Sequence, residues 1–335
     1  MKHRLAVAIL VATAAAAAAQ AAPAVSMRDA LLPPPGRILT GVTGGSASAF
    51  AQAVGKHPAV YGFFTHWGSP FGYMLTDADA INSRLMIHLS TTLGYGIPPV
   101  ISTRGIAAGR GDGYVLSLAQ ALAARGRPTY LRLMPEANQA NNPYAAFNQD
   151  GSPRPDGTRD FKQAFRRTVL LLRGGPVSAL NARLRALGMP AVRGAQTDPL
   201  PHAPVAILWV PQVAGTPDIP ANSAAAYYPG GRYVDWVGTD FYSLYPNFTG
   251  LERFYNEYPN KPFVFGEWAL WGGDDPAWVR QLFDFVRSHR RVQMMVYNQG
   301  LRDSGPFRLY RFPAGRREIR RQLADPRFLA YAPAP

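Results

Sequence analysis

The chain has 335 residues and a formal charge of +14, too long for one minimal domain and comfortable for a single large α/β barrel. At 47% hydrophobic and 12% aromatic it can bury a large core, which excludes a disordered chain. Cysteine is absent, which excludes disulfide scaffolds, thiolate metal sites and cysteine nucleophiles.

Lys2, His3 and Arg4 form a basic start, followed by the apolar run from Leu5 to Ala19 and the small-x-small pattern Ala19-Gln20-Ala21. This is the layout of a secretory signal peptide over residues 1–21. The run is alanine-dominated and shorter than a strongly apolar membrane span. The expectation is an exported bacterial protein, secreted and likewise basic once Lys2 and Arg4 are removed. A Pro-rich lead-in at 22–36 contains Pro33-Pro34-Pro35.

From there short β-like runs alternate with helical ones. Strands are expected at 38–42, 59–64, 84–89, 129–134, 205–210, 233–240, 263–265 and 292–297. Helices are expected at 114–124, 160–173 and 278–288. Eight strands with helical or irregular crossovers are the count of a (β/α)8 TIM barrel, here one α/β domain over residues 37–330. An open doubly wound sheet would need a glycine phosphate fingerprint after its first strand. Thr40-Gly41-Val42-Thr43-Gly44-Gly45 does not supply one.

Glutamate is scarce: Glu136, Glu252, Glu257, Glu267 and Glu318 are the whole set. In such a barrel the active residues project from the C-terminal ends of strands. Glu136 follows the fourth strand and Glu267 closes the seventh, whereas Glu252, Glu257 and Glu318 fall in helix-like surface stretches. Two carboxylates facing each other across a barrel mouth suit glycoside hydrolysis: one protonates the leaving oxygen, and the other attacks the anomeric carbon or activates water.

Three segments carry a family resemblance. Arg132-x-x-x-Glu136-x-Asn138 resembles the acid/base motif of glycoside hydrolase family 26, the β-mannanase-type family. Tyr228-Pro229-Gly230-x-x-Tyr233-Val234-Asp235-Trp236-Val237-Gly238-x-Asp240-x-Tyr242 resembles its sixth-strand signature, and Pro262-x-x-x-Gly266-Glu267 its nucleophile strand. The resemblance spans roughly residues 55 to 300. It implies a barrel working by retaining double displacement on a β-linked polysaccharide, with Glu136 as acid/base and Glu267 as nucleophile. It further implies that Tyr242 orients the nucleophile and that Trp209 or Trp268 offers a sugar-stacking surface. Pro135 stands where the family usually has histidine. The rival from another class is a saccharide-binding barrel of the cell envelope without catalysis.

Further candidates lie near strand ends. Trp67 is read as a cleft residue, and His88 as either a cleft residue or a satisfied core histidine. Arg132 is read as a rim ion pair or a sugar contact. Tyr297 and Asn298, ending the eighth strand, are candidates to face substrate, and Trp271 to reach the cleft. Asp274-Asp275 is read as a cap for the helix at Pro276. Gly109-Arg110-Gly111-Asp112-Gly113 lacks the Gly-Lys-Ser/Thr of a phosphate loop and is read as an ordinary loop. No histidine cluster has metal spacing, so neither a metal nor another cofactor is expected. The stretch from Arg280 to Arg327 holds twelve arginines against four acids. It is read as a solvated face, with weak contact to anionic envelope polymers as the alternative; no nucleic-acid motif accompanies it. A monomer is expected.

Overall fold

The computed structural model describes residues 31–94 and 96–334. The expected leader at 1–21 and the first part of the Pro-rich lead-in lie outside the described residues. Eight strands occur in chain order: β1 (Ile38–Thr43), β2 (Val60–His66), β3 (Arg84–Ser90), β4 (Thr129–Leu133), β5 (Val205–Trp209), β6 (Trp236–Tyr242), β7 (Phe263–Ala269) and β8 (Val292–Asn298). Each pairs in parallel with the next, and β8 closes on β1 through Leu39↔Met294 to Thr43↔Asn298. The chain is a (β/α)8 barrel, as its strand count implies. A two-residue strand, Phe328–Leu329, adds to the start of β1.

The outer layer is made by α1 (Ala47–Val54), α2 (Gly72–Ala80), α3 (Asp112–Arg125), α4 (Thr158–Arg173), α5 (Val177–Ala186), α6 (Phe248–Glu257), α7 (Pro276–Ser288) and α8 (Pro313–Leu323), with short helical turns between them. The strands read as near-continuous apolar runs because both of their faces are buried. One face packs against the helices, where Leu131, Ile207, Phe265, Leu282 and Phe283 belong to one large cluster. The other fills the barrel, where Leu39, Val60, Met86, Tyr130, Leu208, Trp236, Val264, Met294 and Val296 form a second.

Local signals explain the helix ends. Asp275 accepts from the Trp278 amide at 2.9 Å and Pro276 opens α7, the cap expected there. Its neighbour Asp274 serves another helix, accepting from Ala314 and Gly315 at 2.8 and 2.6 Å and so tying the β7 loop to the start of α8. In the Gly109–Gly113 stretch, Asp112 begins α3 and pairs in bidentate fashion with buried Arg167 of α4 at 2.7 and 2.6 Å. The stretch is therefore a structural joint.

The floor of the barrel is closed by segments around Leu31 and Pro333. Arg84, at the start of β3, donates to the Leu31 carbonyl at 2.9 Å and to the Pro333 carbonyl at 2.8 Å. Tyr130 donates to the same Leu31 carbonyl at 2.5 Å. With Leu31 and apolar layers filling the lower barrel, the polar inward residues lie toward the C-terminal ends of the strands.

Candidate active site

Moving up the barrel, the inward side chains change from apolar to polar. Along β3, Met86 is followed by His88; along β4, Tyr130 by Arg132; along β8, Val296 by Asn298. On β6, Trp236 and Gly238 lead to Asp240 and Tyr242. Alternation by two carries these residues to the mouth.

Arg132 is the hub and is 1% exposed. Its guanidinium donates to Asp240 and to Glu267, and at 2.7 Å to Nδ1 of His88. Burial works against its charge, but Asp240 and Glu267 outweigh that and hold the guanidinium more firmly protonated than usual. His88 is fully buried, and burial, reinforced by Arg132, pushes its pKa well below the ordinary histidine value. It is therefore neutral, with Nδ1 accepting from Arg132 and the proton on Nε2. His88 is buried on the site's underside, but it is not a satisfied core histidine: Arg132 holds Nδ1, while Nε2 has no hydrogen-bond partner among the described residues.

Glu267 is 7% exposed and every hydrogen bond it makes comes from a donor. Arg132 reaches Oε1, while Oε2 accepts from the Tyr242 hydroxyl and, at 2.7 Å, from the Asn298 amide. The Asn298 amide also reaches the Tyr242 oxygen at 3.0 Å, and its own oxygen accepts from the Gly300 amide at 2.7 Å, which sets its orientation. Burial first, then the charges of Glu267 and Asp240, push the Tyr242 hydroxyl well above the ordinary tyrosine range. It consequently stays a donor.

A β-bulge brings Glu267 into the lumen. Register shifts between Phe265 and Trp268 against β8, and between Thr239 and Asp240 on the β6 side. As a result Gly266 and Glu267 both face inward, breaking the alternation. Gly266 has to lack a side chain: a Cβ there would lie 3.0 Å from Arg132 Nε and 3.1 Å from an Asp240 oxygen.

Glu136 sits on a strained loop after β4. Met134 and Glu136 have φ of 43° and 51°, a left-handed conformation that non-glycine residues rarely adopt. The loop is held rigidly nonetheless. The Met134 amide donates to Leu89 at 2.8 Å and the Glu136 amide to Val210 at 2.7 Å. Asn142 and Tyr144 hold the Glu136 and Pro135 carbonyls at 2.9 and 2.8 Å. The Glu136 carboxylate accepts from Gln212 Nε2 at 3.3 Å.

Asp240 links the two glutamates. Burial pushes its carboxyl well above the usual range; the Glu267 and Glu136 charges and a hydrogen bond with Glu136 add to this, while Arg132 opposes it. Arg132 and Tyr242 likewise feel both glutamates. Glu136 and Glu267 thus belong to one charged cluster at the mouth.

The remaining expected site residues are placed differently. Asn138 is fully buried, and its side chain clamps the Gln212 backbone through two bonds of 2.9 Å. It acts on the site by seating the glutamine that touches Glu136. Trp209, Trp268 and Tyr297 point outward into the helical layer, which corrects the expectation that they face sugar. Trp209 packs on Tyr228 and Tyr258 at ring distances of 4.9 and 5.3 Å. Trp268 packs on Tyr297 and Phe283 at 5.0 and 5.5 Å. Tyr297 donates to the Phe307 carbonyl at 2.9 Å. Trp67 is 4% exposed, with its indole N–H on the Gly111 carbonyl at 3.3 Å; it too is core. Trp209→Ala is accordingly expected to lower unfolding stability by about 3–5 kcal/mol, read by urea denaturation. A surface stacking residue would move it by about 0.5 kcal/mol at most.

Three neighbours of Glu136 and Glu267 carry weight that their sequence signals only partly announce. Asp240 stands in the sixth-strand motif without an assigned role there, and Asn298 is one of two adjacent candidates. Gln212 has no sequence signal. Trp271, half-buried, makes an aromatic wall beside the site: its ring lies 5.7 Å from Tyr242, 5.6 Å from exposed Tyr245 and 5.2 Å from Phe307. Among the described residues no set of three or more histidine, aspartate or glutamate side chains is grouped to hold a metal ion.

No protein-family model matches the sequence. Endoglucanase H of Acetivibrio thermocellus is 24% identical over 264 residues, which is 74% of this chain and 26% of that protein. The chain thus spans about a quarter of that relative's length. Among solved structures, a Cellulomonas fimi endo-β-1,4-mannanase double mutant superimposes with a TM-score of 0.58 at 16% identity, covering 90% of this chain and 75% of the other. A family 26 β-mannanase from Bacteroides ovatus gives 0.56 at 14% identity, covering 90% and 92%. A family 26 protein from a Muricauda species gives 0.53 at 16%, covering 90% and 93%. These matches agree with the resemblance carried by the motifs, and at such identities they show a common fold.

Proposed function

We propose that the protein is a retaining glycoside hydrolase, a divergent relative of family 26, acting on a β-linked polysaccharide. The observation that carries the reading is the carboxylate pair: Glu267, gripped by three donors near the C-terminal end of β7, and Glu136, on a strained but braced loop after β4, joined through Arg132, Asp240 and Tyr242.

In this reading Glu136 protonates the glycosidic oxygen while Glu267 attacks the anomeric carbon, forming a glycosyl-enzyme ester. Glu136, now a carboxylate, then takes a proton from water, which displaces the sugar from Glu267. The donors on Glu267 fix the direction of its attacking oxygen. They also stabilise its negative charge when it departs as leaving group in the second step. Arg132 and neutral His88 supply positive and dipolar support from below without offering a competing proton. Retention requires the two carboxyl groups to lie roughly 5–5.5 Å apart. The wall of Trp271 and Tyr245 offers the aromatic face on which a sugar ring stacks. Mannan and β-glucan are the first glycans to try, since two of the structures named above are mannanases and the sequence relative is an endoglucanase. Export through the leader at 1–21 would bring the enzyme to polymer outside the cell.

Glu136→Gln tests the acid role. It is expected to lower turnover of polysaccharide by about 10²–10⁴-fold. Aryl glycosides whose phenol departs without protonation should form the glycosyl-enzyme at near wild-type rate, read as a burst of phenol. An equal loss on both substrate types would overturn the assignment.

A further inference from the structure

The arginine-rich tail is not uniformly solvated. Between α1 and α8 the surface is concave, lined by Gln52, Ala53, Arg316, Arg317 and Arg320. It runs on into a wider hollow of about 480 Å³ bordered by Gln299, Arg308 and Tyr310. Neighbouring arginines have acidic partners: Arg280 and Arg321 share Glu318, and Arg308 pairs with Asp303 at the hollow's far end. Among the described residues, no carboxylate lies within ion-pair distance of Arg316, Arg317 or Arg320. Arg320 donates to the Gln52 carbonyl at 3.3 Å.

Two features make this cluster unfavourable for the protein by itself. Arg316 ends the first turn of α8, where the helix dipole disfavours a cation. Arg316 and Arg320 are four residues apart on one helix, a spacing at which like charges repel. A bound anion would relieve both. The hollow also has a fixed relation to the carboxylate cluster: Asn298 touches Glu267, and the next residue, Gln299, lines it. Tyr310, 60% exposed, presents a ring on the same border.

We propose that this concavity is a distal subsite for anionic groups, carboxylate or phosphate ester, borne by the polysaccharide that enters the cleft. A chain leaving the mouth over the loop after β8 meets the Tyr310 ring and then the three guanidinium groups, which match carboxylate and phosphate geometry. The proposal rests on the glycosidase reading and narrows its substrate class to an acidic glycan.

The test is affinity electrophoresis of the full chain in gels containing polygalacturonate, a phosphodiester-linked teichoic acid, neutral galactomannan or duplex DNA. The wild type and Glu267→Gln should both be retarded by at least one of the two acidic glycans, less so as salt rises. The polygalacturonate and teichoic acid lanes distinguish carboxylate from phosphate. Arg316→Gln/Arg317→Gln/Arg320→Gln should weaken that retardation by at least about tenfold. The charge-matched control Arg183→Gln/Arg185→Gln/Arg193→Gln should behave as wild type, and thermal melts verify folding of both. Equal retardation of the two triple variants, or stronger retardation by DNA than by either acidic glycan, would overturn the subsite. Hydrolysis of neutral glycans without arginine-dependent binding refutes the subsite alone. Failure to cleave any glycan refutes the glycosidase reading and with it the subsite's role.

Discussion

Glu267→Gln is expected to lower turnover by at least about four orders of magnitude, roughly 5.5 kcal/mol of transition-state stabilisation. The amide is close in size and offers the Tyr242 hydroxyl and the Asn298 amide an oxygen to bind, so the fold should survive. What disappears is the attacking charge. The substitution also exchanges an acceptor for a donor at one of two positions. If the new NH2 faces Arg132, two donors oppose each other; if it faces Tyr242 and Asn298, their bonds are lost. A modest loss of stability is therefore expected together with the complete loss of turnover. Circular dichroism and urea denaturation measure the first, and reducing-sugar release measures the second. A variant that keeps a tenth of wild-type activity would remove Glu267 from the reaction.

Arg132→Met should act mainly on stability. Arg132 is buried between Asp240 and Glu267 and holds His88 as well. Methionine fills much of the volume but leaves Asp240 and Glu267 in the barrel without their cation. Breaking a buried pair by removing one partner costs about 3–5 kcal/mol. Adding Asp240→Asn to the same chain removes the carboxyl that has lost its cation and should recover part of that loss, a coupling measured by a double-mutant cycle. The cycle uses urea unfolding, so it does not depend on knowing the substrate. Additive losses would mean that Arg132 and Asp240 do not interact as their geometry requires.

The strands were readable because burial on both faces leaves apolar runs broken by glycine, proline and polar turns. All eight begin and end within a few residues of the apolar runs. Glu136 and Glu267 were readable because glutamate is rare and both follow such a run directly. Orientation was not readable, and for the same reason that the strands were. A strand apolar on both sides gives no sign of which residues face the lumen. Alternation then lets only one of Tyr297 and Asn298 face inward, and it is Asn298. Trp209 follows inward Leu208 and so points out. At Trp268 a further irregularity intervenes, since the bulge turns both Gly266 and Glu267 inward and leaves the tryptophan to the helices. Asn138 belongs to the motif yet works through Gln212, a contact between distant loops that no local pattern announces. The helices α1, α2 and α5 are 8, 9 and 10 residues long, too short to carry a sustained periodic signal.

Hydrolysis itself tests the central claim most directly. Wild type and Glu267→Gln are incubated in parallel with β-1,4-mannan, mixed-linkage and β-1,4-glucans and acidic β-linked glycans, and new reducing ends are counted. At least one glycan should be cleaved by the wild type and remain intact with the variant. Cleavage of none by the wild type, or equal cleavage by both, would contradict the assignment of the barrel mouth as a glycosidase site.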